Sequence, residues 1–150
     1  MDPLSCAASV IAVIQFAGAL VDLCENYIKK VKNAQKDIND LIGEINSLKS
    51  ILESLNKFVQ EPGSARLVAL REISDNAGKC TTILKNLGNR IDPEAAQTST
   101  WRRKFRQWKW PLQRHEVDES INQLKRYISL FTMAMQLDQQ YVTTHSYPIL

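Results

Sequence analysis

The side chains best suited to nucleophilic or metal chemistry are three cysteines and two histidines, spread over 150 residues. The cysteines form no C-x-x-C pair, and their odd number and spacing match no zinc or haem motif. The histidines lie in no H-E-x-x-H sequence, and the chain has no G-x-S-x-G and no phosphate-binding glycine loop. These residues are Cys6, Cys24, Cys80, His115 and His145. The sequence therefore predicts a protein that is not an enzyme, with no catalytic residue, cofactor or metal.

Four carboxylates that follow one another closely could suggest a metal site instead. They alternate with lysines along one predicted helix, which is typical of a solvated helix surface with ion pairs at helical spacing. These carboxylates are Asp37, Asp40, Glu44 and Glu53. The cysteines fall on apolar helical positions, so we expect them to be small buried side chains in a reducing compartment.

The elements that position these residues are predicted to be helices. Only five glycines and five prolines occur, too few for the turns of a loop-rich β protein. Apolar residues recur every three or four positions in four long segments. The four segments are Val10–Val31, Ile38–Val59, Leu70–Ile91 and Val117–Met135. Because short connections join them, we predict an all-α fold, an antiparallel four-helix bundle.

Turn and capping residues set the expected limits of these helices. Pro3 suits a first helical position, and Asn33-Ala34 is expected to separate the first helix from a second that opens at Asp37. The third helix is expected to stop before Asp92-Pro93, and the fourth to begin near Glu116. We predict one helical bundle over residues 1–140, followed at residues 141–150 by a flexible tail or the start of a linker.

The first helix is unusual because no charged residue occurs from Pro3 to Val21. Its first half is apolar nearly all round, which predicts a central or hidden helix rather than a peripheral one. A secretion signal is disfavoured: no lysine or arginine precedes the apolar run, and cleavage after Ala17-Gly18-Ala19 would divide a continuous helical pattern.

The connection "STWRRKFRQWKWPLQRHEV" contains all three tryptophans, and five of its six lysines and arginines lie beside them. As a short additional helix, it would place Trp101, Phe105 and Trp108 on one face. Such a basic, aromatic surface could lie in an anionic membrane interface, bind nucleic acid, or simply brace one end of the bundle. Five cations are few for a nucleic-acid protein, so we expect no nucleic-acid partner. The surface comprises Trp101, Arg102, Arg103, Lys104, Phe105, Arg106, Trp108, Lys109 and Trp110.

Three stretches of the chain resemble the fungal HeLo-like N-terminal domain. They are "MDPLSCAASVIAVIQFAGALVDLCENYIKKVKNAQKDI", "LIGEINSLKSILESL" and "WRRKFRQWKWPLQRHEVDESINQLKRYISLFTMAMQLD". That domain precedes the NTPase and repeat modules of fungal STAND or NLR-type immune receptors. The resemblance implies a cell-death effector or signalling domain of innate immunity, cytoplasmic until it moves to the plasma membrane on activation. It also implies self-association, anionic membrane lipids and NLR-type modules as partners.

In relatives of that domain, the first helix leaves the bundle upon oligomerisation and disrupts membranes. The resemblance assigns this role to eight large apolar residues: Leu4, Val10, Ile11, Val13, Ile14, Phe16, Leu20 and Val21.

The physical properties of the first helix are compatible with this role without requiring it. Nineteen charge-free residues span about 28 Å, close to the hydrocarbon core of a bilayer. The eight apolar residues favour insertion by roughly 2.5–5 kcal/mol in total, and neighbouring polar residues offset much of this. Insertion is therefore expected only when several copies assemble. A non-lytic adaptor or oligomerisation module, in which the first helix stays buried, is the alternative.

Overall fold

The computed structural model describes residues 3–61, 67–92 and 109–145. They form four helices: α1 (Pro3–Lys30), α2 (Gln35–Gln60), α3 (Leu67–Ile91) and α4 (Arg114–His145). No strand occurs within these described ranges. The predicted all-α four-helix bundle is confirmed, while the short additional helix predicted between the third and fourth helices lies outside the described residues.

The four helices pack in a ring in which α1 contacts α2 and α3, and α4 contacts the same two helices. The hydroxyl of Tyr27, near the end of α1, donates a hydrogen bond to the carbonyl oxygen of Ile91, the last residue of α3. Arg114, at the start of α4, pairs with Asp37 near the start of α2. Consecutive helices are therefore antiparallel, whereas the neighbouring pairs α1–α3 and α2–α4 run parallel.

The inward faces of α2 and α3 are those that the periodicity predicts. The central row predicted for each face is buried, with 4% or less of each side chain exposed, and Phe58 at the edge of the α2 row is 8% exposed. Ile42 and Ile51, also predicted on α2, are partly buried. On α2 the buried residues are Ile38, Leu41, Ile45, Leu48, Leu52, Leu55, Phe58 and Val59. On α3 they are Leu70, Ile73, Ala77, Cys80, Leu84, Leu87 and Ile91. Burial of these side chains is the main source of the stability of the bundle.

The turn from α1 to α2 is closed by one residue in an unusual conformation. Ala34 has φ 64° and ψ 20°, a left-handed geometry that costs a non-glycine residue about 1–2 kcal/mol. The side-chain amide of Gln35 donates to the carbonyl oxygens of Ile28 and Val31, at 3.0 and 2.7 Å. Gln35 thus satisfies carbonyls at the end of α1, and α2 begins there rather than at Asp37.

The last helix differs from the prediction at both ends. It begins at Arg114 rather than near Glu116, and it continues to His145. The expectation of a flexible tail or linker from residue 141 is therefore wrong for residues 141–145. The physical reason is that no glycine or proline interrupts the chain before Pro148, so nothing ends the helix earlier.

The expectation that α1 is central or hidden is also wrong. It occupies one corner of the bundle, as the other helices do, and packs against α2 and α3. An uncharged sequence predicts burial on every side, but a four-helix bundle covers only the sides of a helix that face its neighbours. Part of the apolar surface of α1 therefore faces outward.

Candidate functional site

The inward face of α1 is packed as tightly as those of the other helices. Val10 and Val13 have no exposed surface, while Leu20 and Val21 are 4% and 9% exposed. These four residues of the predicted membrane-active set therefore belong to the core cluster. Burial of a large aliphatic side chain contributes about 1.5–3 kcal/mol, so the four together contribute about 6–12 kcal/mol.

The remaining members of the predicted set lie on the outside of the bundle or at its edge. Leu4 is 81% exposed, Ile11 39% and Phe16 37%, whereas Ile14 is partly buried against the core. Three of the four exposed large apolar side chains among the described residues are thus on α1, and the fourth is Met133.

Leu4, Ala8, Ile11, Ala12 and Ala19 recur at helical spacing, which places them on one side of α1. We call these five residues the outer apolar face. Gln15 is the polar residue on the same side of the helix. Of the five apolar residues, Ala12 is partly buried and the other four are exposed. The same side of the helix becomes charged only at Asp22. The structure thus divides α1 into a buried half and an exposed apolar half.

Both ends of α1 are tied to α3. At the N-terminal end, the Cys6 thiol approaches the carbonyl oxygen of Leu70 at 3.6 Å, which is a weak hydrogen bond. At the C-terminal end, the Tyr27 hydroxyl donates to the carbonyl oxygen of Ile91 at 2.8 Å. Any movement of α1 away from the bundle must break both contacts. The sequence pattern places Tyr27 at the end of an apolar row but does not predict its hydrogen bond.

Trp110 is not part of an exposed surface, contrary to the prediction. It is 7% exposed, and its ring meets that of Tyr27 edge to face with centroids 5.5 Å apart. The reason is that Trp110 lies where the connection re-enters the bundle, so its ring covers the end of the core. Lys109 beside it is exposed. The rest of the predicted basic-aromatic surface, residues 101–108, lies outside the described residues.

A groove of about 570 Å³ runs between α1 and α3. Leu20 and Leu23 of α1 and Leu84 of α3 contribute apolar lining, and Asp22 and Asn89 contribute polar lining. Phe16 lies at its edge, where the Lys85 ammonium group is 5.0 Å from the ring centroid. The groove follows the second half of α1, beside the end of α3.

The three cysteines are buried, free and poorly suited to nucleophilic chemistry. Burial raises the pKa of Cys6 to about 11 and that of Cys80 to about 12. For Cys24, burial and the nearby Glu25 carboxylate raise the pKa to about 12. Because the thiolate is the reactive form, these thiols are unreactive near neutral pH while the bundle stays closed. Among the described residues, no cluster of three metal-ligating side chains occurs.

The carboxylates at the start of α2 take part in contacts between helices, so they are not merely solvated. Arg114 of α4 donates to Asp37 at 2.7 Å and to Asp40 at 3.0 Å. Hydrogen bonds from Lys36 and Arg114 lower the pKa of Asp40, and hydrogen bonds to these carboxylates raise that of Arg114. These contacts position α4 beside α2.

A second set of polar contacts links the start of α4 to the end of α3. The Glu116 carboxylate accepts hydrogen bonds from the backbone N–H of Gln113 and from the Arg90 guanidinium, and these lower its pKa. We refer to Asp37, Asp40, Arg90, Arg114 and Glu116 as the polar clasp. Sequence reasoning missed it because its partners are far apart in the chain.

One helix among the described residues is long and apolar enough to cross a membrane by length and composition, over Leu4–Lys30. In its most apolar window, 39% of the helix is buried in the bundle. Length and composition do not by themselves separate a membrane span from the core helix of a soluble protein. The geometry defines an all-α bundle domain whose first helix has one buried and one exposed apolar side.

The family can be assigned within this class of helical bundle domains. Residues 1–146 match the family described as "Pigment biosynthesis cluster protein PigL N-terminal". Since the match covers nearly the whole chain, the protein belongs to this family, which is related to the HeLo-like fungal domains. No curated protein and no solved structure matches the chain.

Proposed function

We propose that this domain is a non-enzymatic effector or signalling module that acts by oligomerisation and membrane disruption through α1. The observation that carries the proposal is the outer apolar face of α1, which has no structural partner within the described part of the bundle. Leu4 and Ile11 are exposed on it although both are large and apolar. An exposed apolar patch on a soluble domain is typical of a protein or membrane interaction site.

The energetics require assembly before α1 can leave the bundle. Release removes about 6–12 kcal/mol of burial contributed by Val10, Val13, Leu20 and Val21. Insertion into a bilayer returns roughly 2.5–5 kcal/mol from the apolar residues of α1. A single copy therefore stays closed. Contacts among several copies must supply the difference, so self-association is the step that controls activity.

The family relationship supports the biological context of this proposal. Because the family is related to HeLo-like fungal domains, we propose a role in fungal innate immunity, in which the active domain causes cell death. The family description refers to an N-terminal region, which fits a module that receives its signal from NLR-type NTPase and repeat modules. The domain would be cytoplasmic at rest and would move to the plasma membrane on activation.

Vesicle leakage tests the membrane step directly. The full chain, alone and fused to an inducible dimerisation domain, is added to dye-loaded vesicles of phosphatidylcholine and phosphatidylserine. We expect dye release only after dimerisation is induced. Ile11→Gln should reduce release, because it places an amide on the outer apolar face. Met133→Gln is the matched control, since Met133 is an exposed apolar residue on α4. Absence of release from the oligomerised protein, together with survival of fungal cells that express it, would refute the proposal.

The second candidate is the non-lytic adaptor, in which α1 stays in the bundle. The observation that favours it is the attachment of α1 to α3 at both ends, by Cys6 and by Tyr27. An adaptor would use the same exposed surfaces to assemble without opening. Tyr27→Phe separates the two candidates.

The Tyr27→Phe change removes the hydrogen bond to Ile91 and is expected to cost about 1 kcal/mol of stability. If α1 is released during activity, the variant should cause more leakage at a given protein concentration, because one attachment is already broken. If the domain is an adaptor, oligomerised wild type and variant should both leave vesicles intact. Amide hydrogen exchange in the presence of vesicles provides the second measurement, since release predicts faster exchange in α1 than in α2.

A further inference from the structure

The outer apolar face of α1 is bordered by one lysine on each side. On the α3 side, the Lys85 ammonium group is 5.0 Å from the centroid of the Phe16 ring. On the α2 side, the Lys49 ammonium group is 3.9 Å from the place where a Cβ on Gly18 would lie. Two cations therefore reach α1 from opposite neighbours at nearly the same level of the helix.

The rest of the α3 border is uncharged toward the N-terminal end of α1. Residues at helical spacing before Lys85 are Thr81, Gly78 and Ser74, and this row runs beside the N-terminal half of α1 because the two helices are parallel. On α2, Glu53 follows Lys49 by one turn, so that side carries one charge of each sign. Among the described residues, the borders of the outer apolar face therefore carry Lys49, Lys85 and Glu53. Asp22 adds a negative charge at the C-terminal end of the face, where it lines the same groove as Lys85.

We propose that the intact bundle docks on an anionic phospholipid bilayer through the outer apolar face of α1, with Lys49 and Lys85 contacting lipid phosphates. The inference rests on the membrane action proposed above, and it adds a folded-state step that precedes release of α1. Docking breaks no packing contact, because Leu4 and Ile11 are already exposed. Long lysine side chains can lie along apolar surface while their ammonium groups reach the headgroups.

The chemistry of this surface fits a bilayer better than a second copy of the chain. On the outer apolar face only Leu4 and Ile11 are large, and alanines separate them. This arrangement gives shallow penetration at an interface but little interdigitation with a facing helix. Two copies meeting through this face would bring lysines together. The face itself has no carboxylate before Asp22, and Glu53 lies on its α2 border. Phosphate-bearing lipid supplies negative charge along the whole face, whereas a second copy supplies it at Asp22 and Glu53 alone.

Vesicle co-sedimentation of the full chain, without induced oligomerisation, tests the docking step. The probes are vesicles of phosphatidylcholine alone and vesicles with about a quarter phosphatidylserine, at low salt where surface charges act strongly. Wild type should bind the anionic vesicles more tightly. Each cation near an anionic surface changes affinity about fivefold, so Lys85→Ala should weaken binding about fivefold and the double variant Lys49→Ala/Lys85→Ala up to about 30-fold.

Two control variants distinguish this face from general attraction between a basic protein and an anionic surface. Lys125→Ala removes the same charge from α4, the helix that does not border α1, and should leave binding nearly unchanged. Ile11→Gln should weaken binding to both vesicle types, whereas the lysine variants should affect the anionic vesicles alone. Circular dichroism should show that each variant keeps the helical content of wild type.

Each remaining outcome either overturns or supports the inference. Equal loss of binding in Lys125→Ala and Lys85→Ala would mean that only net charge matters. Unchanged binding in Ile11→Gln, or a soluble dimer that Ile11→Gln disrupts in the absence of vesicle binding, would assign the face to another role. Binding without leakage would support docking while contradicting the proposed membrane disruption. Leakage that does not depend on Lys49 and Lys85 would support membrane disruption while contradicting the docking step.

Discussion

The outer faces of α1 and α2 differ far more than their inner faces do. Both helices bury continuous apolar rows against the core. On the outside, however, α2 presents small or polar residues to solvent: Asn39, Gly43, Asn46, Ser47, Ser50, Glu53, Ser54 and Lys57. At its own outward-facing positions, α1 exposes Leu4 and Ile11. Neighbouring helices of one bundle have the same structural requirements, so folding alone does not explain the apolar exterior of α1.

This comparison separates what the fold needs from what the function would need. A solvated outer face such as that of α2 keeps the domain soluble and allows a single inward orientation. An apolar outer face contributes nothing to core packing and favours association with other surfaces. The exposed side chains of α1 are therefore the best candidates for function, and its buried side chains are best explained by stability.

The largest expected effect is a loss of stability, which tests whether the inner faces of α1 and α2 are packed equally well. Leu48→Ala in α2 and Leu20→Ala in α1 each remove a buried leucine and should destabilise the domain by about 2–5 kcal/mol. We expect the Leu20 variant to lie at the lower end of this range, because Leu20 lines the groove between α1 and α3. Urea denaturation followed by circular dichroism measures both values. A larger loss at Leu20 than at Leu48 would contradict the looser packing expected beside the groove.

A smaller effect, a gain in stability, is expected from a substitution beside the groove between α1 and α3. A Cβ added at Gly88 of α3 would meet the Cδ1 atom of Leu20 at 3.8 Å, which is an ordinary contact. Gly88→Ala should stabilise the domain by about 0.5–1 kcal/mol, because alanine is the better helix former. Gly78→Ala is the control, since a Cβ there meets nothing within 4 Å. If α1 release governs leakage, Gly88→Ala should also raise the protein concentration needed for leakage, beyond the effect of Gly78→Ala.

The smallest expected effect is the loss, at low pH, of the stability that the polar clasp contributes. The pKa values of Asp40 and Glu116 are lowered in the folded state by their donors. A lowered pKa means that their stabilising contribution is complete near neutral pH and is lost as acid protonates the folded carboxylates. Acid should therefore increase amide exchange at the start of α4 before it does so in α1.

Replacement of Arg114 provides the control for this pH dependence. Arg114→Gln removes the cation that Asp37 and Asp40 share, so exchange at the start of α4 should become faster at neutral pH and less sensitive to acid. An unchanged pH profile in this variant would contradict the assignment of acid sensitivity to the polar clasp.

Much of the fold could be predicted because helix periodicity is a local property. The central rows predicted on α2 and α3 are buried, and the neighbouring positions Ile42 and Ile51 are partly buried. The end of α4 was less predictable, because a helix end requires a breaking residue and none occurs between Gln140 and His145. The candidate site was predicted only in part. The set on α1 contains both core residues and exposed residues, and the periodicity of an uncharged helix does not distinguish them.

The position of Trp110 illustrates why the remaining features needed the structure. In sequence it belongs to a basic, aromatic segment and resembles its neighbours. In the fold it packs against Tyr27, which lies more than eighty positions earlier in the chain. Lys49 and Lys85 likewise appear in sequence as ordinary surface lysines on different helices, and only packing brings both beside α1.

The sequence by itself determined that this protein forms four helices and which faces of α2 and α3 point inward, because residues three and four apart share a helix face whatever surrounds them. The tertiary structure decided which apolar side of α1 stays exposed and which cations border it. It also decided how the polar clasp is assembled. These features depend on contacts between residues far apart in the chain, and such contacts exist only once the helices have packed.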